Sequence, residues 1–340
     1  MAFETLKIAA RRELTPDATV LTFDRSFDFV PGQYLTLKRG DVRRSYSICS
    51  GPGEPLSVGI RRVEDGAFSD GILRELSEGA EIEVMPPQGR FTCAVEEGAK
   101  VLLIAAGSGI TPMMSIAKAV LESTSTGEVT LVYGNRDLTH IMFREELDAL
   151  KDRFLGRLSV IHVLSREPQE IDLANGRIDG EKVRLLAERG LIDMEAEVYL
   201  CGPGGMIKSV EGALAELGVA RERIHHELFT PEGGFVLPKT RKPTTTEGVP
   251  VEVMLDGTRR RFSARGDSET VLEAAARAGL ELPYSCAGGM CCTCRAKVVE
   301  GTAEMDANYS LEPWELEAGF TLACQARVKD GPLVLDFDAS

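Results

Sequence analysis

The chain is short of cationic residues. Against 53 aspartates and glutamates it sets 39 lysines and arginines, a formal net charge of -14. Sequence-independent nucleic-acid binding rests on lysine and arginine neutralising phosphates, so that class of function is excluded. An acidic chain meets basic protein faces instead. Long apolar runs are missing too. The longest, Val101 to Ala106 continuing into Gly107 to Ile110, falls far below the roughly 20 residues a membrane helix needs. No basic stretch followed by an apolar core opens the sequence, which carries Glu4 among alternating apolar residues, so a cytoplasmic protein without membrane attachment is expected. Histidine is scarce as well. His225 and His226 adjoin each other, His140 and His162 have no companion at ligand spacing, and neither a Ser-His-acid order nor paired carboxylates stand out. No internal repeat is found.

What is present suffices for several cores. With 340 residues and 43% hydrophobic content, the chain exceeds the roughly 250 residues at which single cores stop growing. From Phe3 to about Val95, short β-like runs such as Thr19 to Phe23, Tyr34 to Leu37 and Leu56 to Ile60 are divided by turns at Pro31-Gly32, Gly51-Pro52-Gly53 and Pro86-Pro87. One helix-like stretch spans Ser69 to Leu76. This pattern predicts an antiparallel β-barrel over residues 1–97. From Lys100 apolar strands alternate with helical segments, which predicts a doubly wound parallel α/β domain over 98–230. Residues 231–248, rich in proline and threonine, read as a linker. Two strands, a helix from Thr270 to Ala278 and a cysteine-rich loop then predict a small α+β domain over 249–340.

The strongest signal is Cys286-Ala-Gly-Gly-Met-Cys291-Cys292-Thr-Cys294, a C-x4-C-x2-C run with Cys324 far downstream. This is plant-type 2Fe-2S spacing, in which one loop supplies three thiolates and a distant segment the fourth. The metal ligands are therefore Cys286, Cys291, Cys294 and Cys324. Structural zinc is the alternative, although zinc ribbons favour two separated C-x2-C pairs. Cys292 has no place in the pattern and reads as a small side chain facing into the domain. A second signal is Gly107-Ser108-Gly109-Ile110-Thr111-Pro112, which follows a buried strand and opens a helix, the context of a Gly-rich phosphate-binding turn.

The stretches Leu282-Pro-Tyr-Ser-Cys286, Met305-Asp-Ala-Asn-Tyr309 and Gly319-Phe-Thr-Leu-Ala-Cys324-Gln resemble the ferredoxin domain of ferredoxin-NADP reductase-like oxygenase reductases. The resemblance covers the whole chain in the order flavin, nicotinamide, iron-sulfur, and is greatest toward reductases of a CoA-ester epoxidase and of steroid hydroxylases. It implies a β-grasp ferredoxin domain, and a flavin site in which Arg44-Ser45-Tyr46-Ser47 meets FAD, or FMN as in a minority of members. The chemistry suits an isoalloxazine: Tyr46 offers an aromatic face, Ser47 a hydroxyl and Arg44 a guanidinium for pyrophosphate. Gly66, Phe68 and Ser69 resemble the second phosphate element, against the alternative of an ordinary turn with a serine cap. Gly107, Gly109, Thr111 and Pro112 then take the nicotinamide nucleotide, whose ring meets Cys201-Gly202-Pro203.

The resemblance also implies that Glu227 and Phe229 end the last strand over the flavin. Ser47, Cys201, Glu227 and Phe229 are thus the candidate catalytic residues. Ser165 and Arg166, assisted by Arg136, resemble a 2′-phosphate site and favour NADPH over NADH. The implied function is electron transfer from NAD(P)H through FAD and a 2Fe-2S cluster to an oxygenase. A stand-alone reductase of a small acceptor and a non-catalytic iron-sulfur sensor are the alternatives. Glu300, Glu304, Asp306, Glu312, Glu315 and Glu317 form an acidic stretch that either docks a basic face of the oxygenase or is simply solvated.

Overall fold

The computed structural model describes residues 3–230 and 248–339, so nearly all of the expected linker lies outside the described residues. The first sheet contains β1 (Glu4–Thr15), β2 (Ala18–Phe23), β3 (Tyr34–Arg39), β4 (Val42–Ser47), β5 (Ser57–Arg61) and β6 (Glu81–Gln88), in the order β4-β3-β6-β1-β2-β5. Every pairing is antiparallel, and an isolated Ile48–Val58 bridge draws the end of β4 to β5, wrapping the sheet into a barrel. A π-type turn, Ala67–Ile72, runs into α1 (Leu73–Glu75) where a single helix was expected. The Pro86-Pro87 turn is also absent as such. Both prolines lie within β6, where the β3 register shifts between Tyr34 and Thr36, and such an irregularity tolerates residues that cannot donate to the ladder. Leu6, Leu21, Leu35, Leu37, Ile60 and Phe68 fill the barrel.

The second sheet is parallel throughout: β7 (Lys100–Ala106), β8 (Glu128–Asn135), β9 (Leu158–Leu164), β10 (Glu197–Pro203) and β11 (Ile224–Thr230), in the order β11-β10-β7-β8-β9. Between them run α2 (Ile110–Ser123), α3 (Arg144–Arg153), α4 (Gly180–Glu188) and α5 (Gly204–Glu216). Strand alternation serves both faces. Val101, Leu103 and Ala105 join Met113 of α2 and Leu147 of α3, while Leu102 and Ile104 join Val183 of α4 and Val210 of α5. Ala18, Val20, Phe91 and Cys93 extend the first of these cores into the barrel.

The third sheet contains β12 (Val249–Leu255), β13 (Thr258–Ala264), β14 (Arg295–Met305), β15 (Phe320–Leu322) and β16 (Ala326–Asp336), in the order β13-β12-β16-β14-β15. It is mixed, because β12 and β16 run parallel and the other pairs antiparallel. Thr270 and Glu273 form a capping box that opens α6 (Val271–Arg277), and α7 (Pro313–Glu317) precedes β15. The first two sheets pack into one compact unit and the third forms another.

Candidate functional site

In a doubly wound sheet the ligand crevice lies where the strand order reverses, outside the carboxyl ends of the strands. Here that point falls between β7 and β10, and it gathers two of the expected motifs. Gly107–Gly109 leaves β7 as a single helical turn, and Cys201-Gly202-Pro203 ends β10 beside it. Contact between them is close enough to fix residue size. A Cβ on Gly109 would lie 2.1 Å from the Cys201 carbonyl oxygen, and one on Gly202 would lie 2.7 Å from Met206 Cε. Gly107 takes φ +55°, its carbonyl accepts from the Tyr133 hydroxyl at 3.0 Å, and Thr111 is fully buried with its hydroxyl donating to the Ser108 carbonyl at 2.9 Å. Thr111 and Pro112 thus seat the helix, whereas Pro203 is exposed at the crevice.

Strand β11 brings the flavin-side residues to the same place. Cys201 and Glu227 are register partners, and Ser47 at the end of β4 donates to Glu227 Oε2 at 3.4 Å. Burial pushes the Glu227 carboxyl up to about 7, against the opposing pull of the Ser47 hydroxyl, although part of the residue surface remains accessible. Below that pH the group carries its proton. Burial, and then the Glu227 carboxylate, raise the Cys201 thiol well above its usual range, so it stays a neutral thiol. Phe229 is half-buried against the neighbouring core.

On the barrel, Tyr46 meets Phe68 with ring centroids 5.4 Å apart, while Arg44 is exposed on the same side of β4 and Ser45 on the other is half-buried. The Ser69 hydroxyl accepts from the Val63 N–H at 3.1 Å, and a Cβ on Gly66 would meet that same oxygen at 2.6 Å. This set fits a flavin: an aromatic surface, an exposed guanidinium and a tight turn.

The arginines sort into two places. Arg166 follows β9, exposed, next to the Ser165 hydroxyl, which donates to the Asn135 carbonyl at 3.2 Å. The Arg136 carbonyl accepts from the Arg166 N–H at 2.8 Å, and its Nη2 lies 2.8 Å from Asp17 Oδ2 in the barrel. Arg61 Nε shares that oxygen at 3.1 Å, and its Nη1 lies 2.8 Å from where a Cβ on Gly107 would stand. Nothing in the sequence singles out Asp17 or Arg61, because each belongs to an ordinary polar turn or strand end and only the fold joins them.

In the second unit the four expected ligand thiols form two pairs. Cys291 Sγ accepts from the Cys286 N–H at 3.4 Å, and the Cys294 thiol faces that of Cys324. The Cys291 partner, with the amide N–H groups of Gly288 and Met290 at 3.3 and 3.4 Å, draws the Cys286 thiol down to about 6 despite burial. Thr293 Oγ1 donates to Cys291 Sγ at 3.1 Å, and Gln325 Nε2 lies 3.8 Å from Cys324 Sγ. Amide and hydroxyl donors around paired sulfurs fit a binuclear cluster held by four thiolates. Cys292 points elsewhere. It takes φ +55° and donates to Ser310 Oγ at 3.0 Å, packing against the domain core.

Two family models match this chain, the oxidoreductase NAD-binding domain over residues 103–212 and the 2Fe-2S iron-sulfur cluster binding domain over 253–329. One of the subunits of 1,2-phenylacetyl-CoA epoxidase from Escherichia coli is 41% identical, with 99% of this chain and 98% of that one covered. The chain belongs to the reductase components of multicomponent oxygenases. The ferredoxin reductase component of 3-ketosteroid-9-alpha-monooxygenase from Rhodococcus rhodochrous is 33% identical over 98% of this chain and 96% of its own. Phthalate dioxygenase reductase shares the fold with a TM-score of 0.63 and 24% identity, covering 98% of each chain. The protein is thus an NAD(P)H-dependent flavin and iron-sulfur oxidoreductase.

The structure shrinks the acidic stretch of this reductase. Glu315 is fully buried in an ion pair with Arg295 at 2.8 Å, Asp306 pairs with the buried Arg327 at 2.7 Å, and Glu304 pairs with Lys329 at 2.6 Å. Glu312 caps α7, leaving Glu300 and Glu317 as the exposed acids without an ion pair among the described residues. Alternating charge along a sequence does not reveal which acids face inward. Replacing Glu315 by alanine strands the Arg295 guanidinium, which is 15% exposed, and is expected to destabilise the second unit by about 3 to 5 kcal/mol. A shifted denaturation midpoint followed through cluster absorbance checks this.

Proposed function

We propose that this reductase takes NADPH in preference to NADH and serves an oxygenase of the phenylacetyl-CoA epoxidase type. The observation that carries the nucleotide reading is the contact of Gly109 with the carbonyl of Cys201, which joins a phosphate-binding turn to the end of β10, where Cys201 is the register partner of Glu227 and, through it, meets Ser47. Gly107, Gly109 and the start of α2 present backbone N–H groups to the pyrophosphate. Gly202, without a side chain, leaves room for a planar ring beside Cys201. Arg44, Ser45, Tyr46, Gly66, Phe68 and Ser69 hold FAD, and Phe229 covers its ring. FAD, when bound, supplies the conversion between a two-electron hydride donor and a one-electron acceptor. Glu227 titrates near neutrality, and when it is ionised its Oε2 accepts from the Ser47 hydroxyl.

Four thiolates, Cys286, Cys291, Cys294 and Cys324, hold the cluster in the second unit. Glu300 and Glu317 meet Lys or Arg on the oxygenase, and the reductase works in the cytoplasm. Anaerobic mixing with NADPH tests the whole assignment: flavin bleaching followed by loss of cluster absorption is expected, and absence of bleaching refutes it.

NADPH preference rests on Arg166 and Ser165. Replacing Arg166 by glutamine is expected to weaken NADPH about 10- to 100-fold, the worth of one charge-assisted contact of roughly 1.5 to 3 kcal/mol, with little change for NADH. Equal losses for both nucleotides in steady-state kinetics would remove Arg166 from the 2′-phosphate site.

A further inference from the structure

We propose that Asp17 is a positioning residue for the nucleotide pyrophosphate, holding Arg61 and Arg136 together at the Gly-rich turn. This rests on the reading of Gly107–Gly109 as the nucleotide turn. Three elements distant in sequence converge here: the β1–β2 turn, the end of β5 and the segment after β8. The carboxylate is fixed before any ligand arrives. Its Oδ1 accepts from Thr15 Oγ1 at 2.9 Å, and the Asp17 carbonyl accepts from the Arg62 N–H at 2.7 Å. Its Oδ2 then receives both guanidinium groups, from Arg61 at 3.1 Å and Arg136 at 2.8 Å. Two guanidiniums brought to one oxygen repel each other, so without the carboxylate they part.

With it, one net positive charge stays beside the turn, where Arg61 already overlies Gly107. The Arg136 Nε–H is buried with no partner among the described residues, so a donor remains unused by the protein. Sharing Asp17 joins the Arg136 guanidinium to that of Arg61 beside the turn. The pair therefore acts on the part of the ligand common to NADH and NADPH, and discrimination is left to Arg166.

The test uses the full holoprotein with ferricyanide as acceptor. Asp17→Asn should raise KM for NADPH and for NADH by the same factor, about tenfold, with the maximal rate changed less than twofold. Inhibition by ADP-ribose should weaken by that factor, and inhibition by 5′-AMP, which lacks a pyrophosphate, should not. Asp17→Glu should restore part of the loss. Arg136→Gln should reproduce it, and the double variant should be no worse than either single one. Unchanged KM values, a loss confined to NADPH, or an unaltered ADP-ribose constant would overturn the proposal. Gly109→Val separates the two readings. If that variant oxidises NADPH normally, the turn is not the nucleotide site; if it fails while Asp17→Asn is silent, only the role of Asp17 is lost.

Discussion

Serine at Cys286, Cys291, Cys294 or Cys324 is expected to abolish the visible absorption of the cluster while reduction of the flavin by NADPH persists. The thiolates fall into two facing pairs, so each removal leaves one iron without a required ligand. The residues proposed for the flavin and those proposed for the cluster lie in separate compact units, so the loss is expected to stay local. Cys292→Ser is the control, because serine keeps a donor for Ser310 and the residue stands outside the pairs. Iron content, the visible spectrum and a flavin-level acceptor assay check the series together. Retained absorption in any of the four, or its loss at Cys292, would contradict the assignment.

Valine at Gly109 is the second large effect. A Cβ at that position stands 2.1 Å from the Cys201 carbonyl oxygen and 2.6 Å from its carbon, and neither is a flexible side-chain end that can move aside. Either β7 and β10 separate at their carboxyl ends or the turn is displaced, and both destroy the crevice. A misplacement costing about 4 kcal/mol corresponds to about a thousandfold loss of NADPH-driven flavin reduction. Dithionite, which needs no nucleotide site, should still reduce flavin and cluster. Normal NADPH turnover in this variant would show that the nucleotide binds elsewhere.

The parallel sheet was legible because its strands are short apolar runs separated by clear helical segments, and the cysteine loop because its ligand spacing is local. The third sheet was not. Of its strands only β12 and β13 announced themselves, since Asp256-Gly257 marks the turn between them. β14 is interrupted at Gly301, at φ +86° against the Pro332 carbonyl, β16 contains Asp330-Gly331-Pro332, and β15 has three residues, so none shows a clean alternation. The site divides in the same way. Motif residues contiguous in sequence were found, but Asp17, Arg61 and the Arg295–Glu315 pair depend on elements that meet only in space. Composition marked Glu315 as acidic surface, and tertiary pairing buried it.

The pairing of β12 with β16 has a bearing on how the second unit closes. The first and last strands of the second unit lie side by side, Val251 opposite Leu333, with the whole ligand loop enclosed between them in sequence. Such long-range closure carries an entropy cost that local strands escape. A cluster bound by the folded form alone offsets that cost through linkage. Removing the cluster is therefore expected to let the second unit open more often, read as faster amide exchange there, while the first unit keeps its own core.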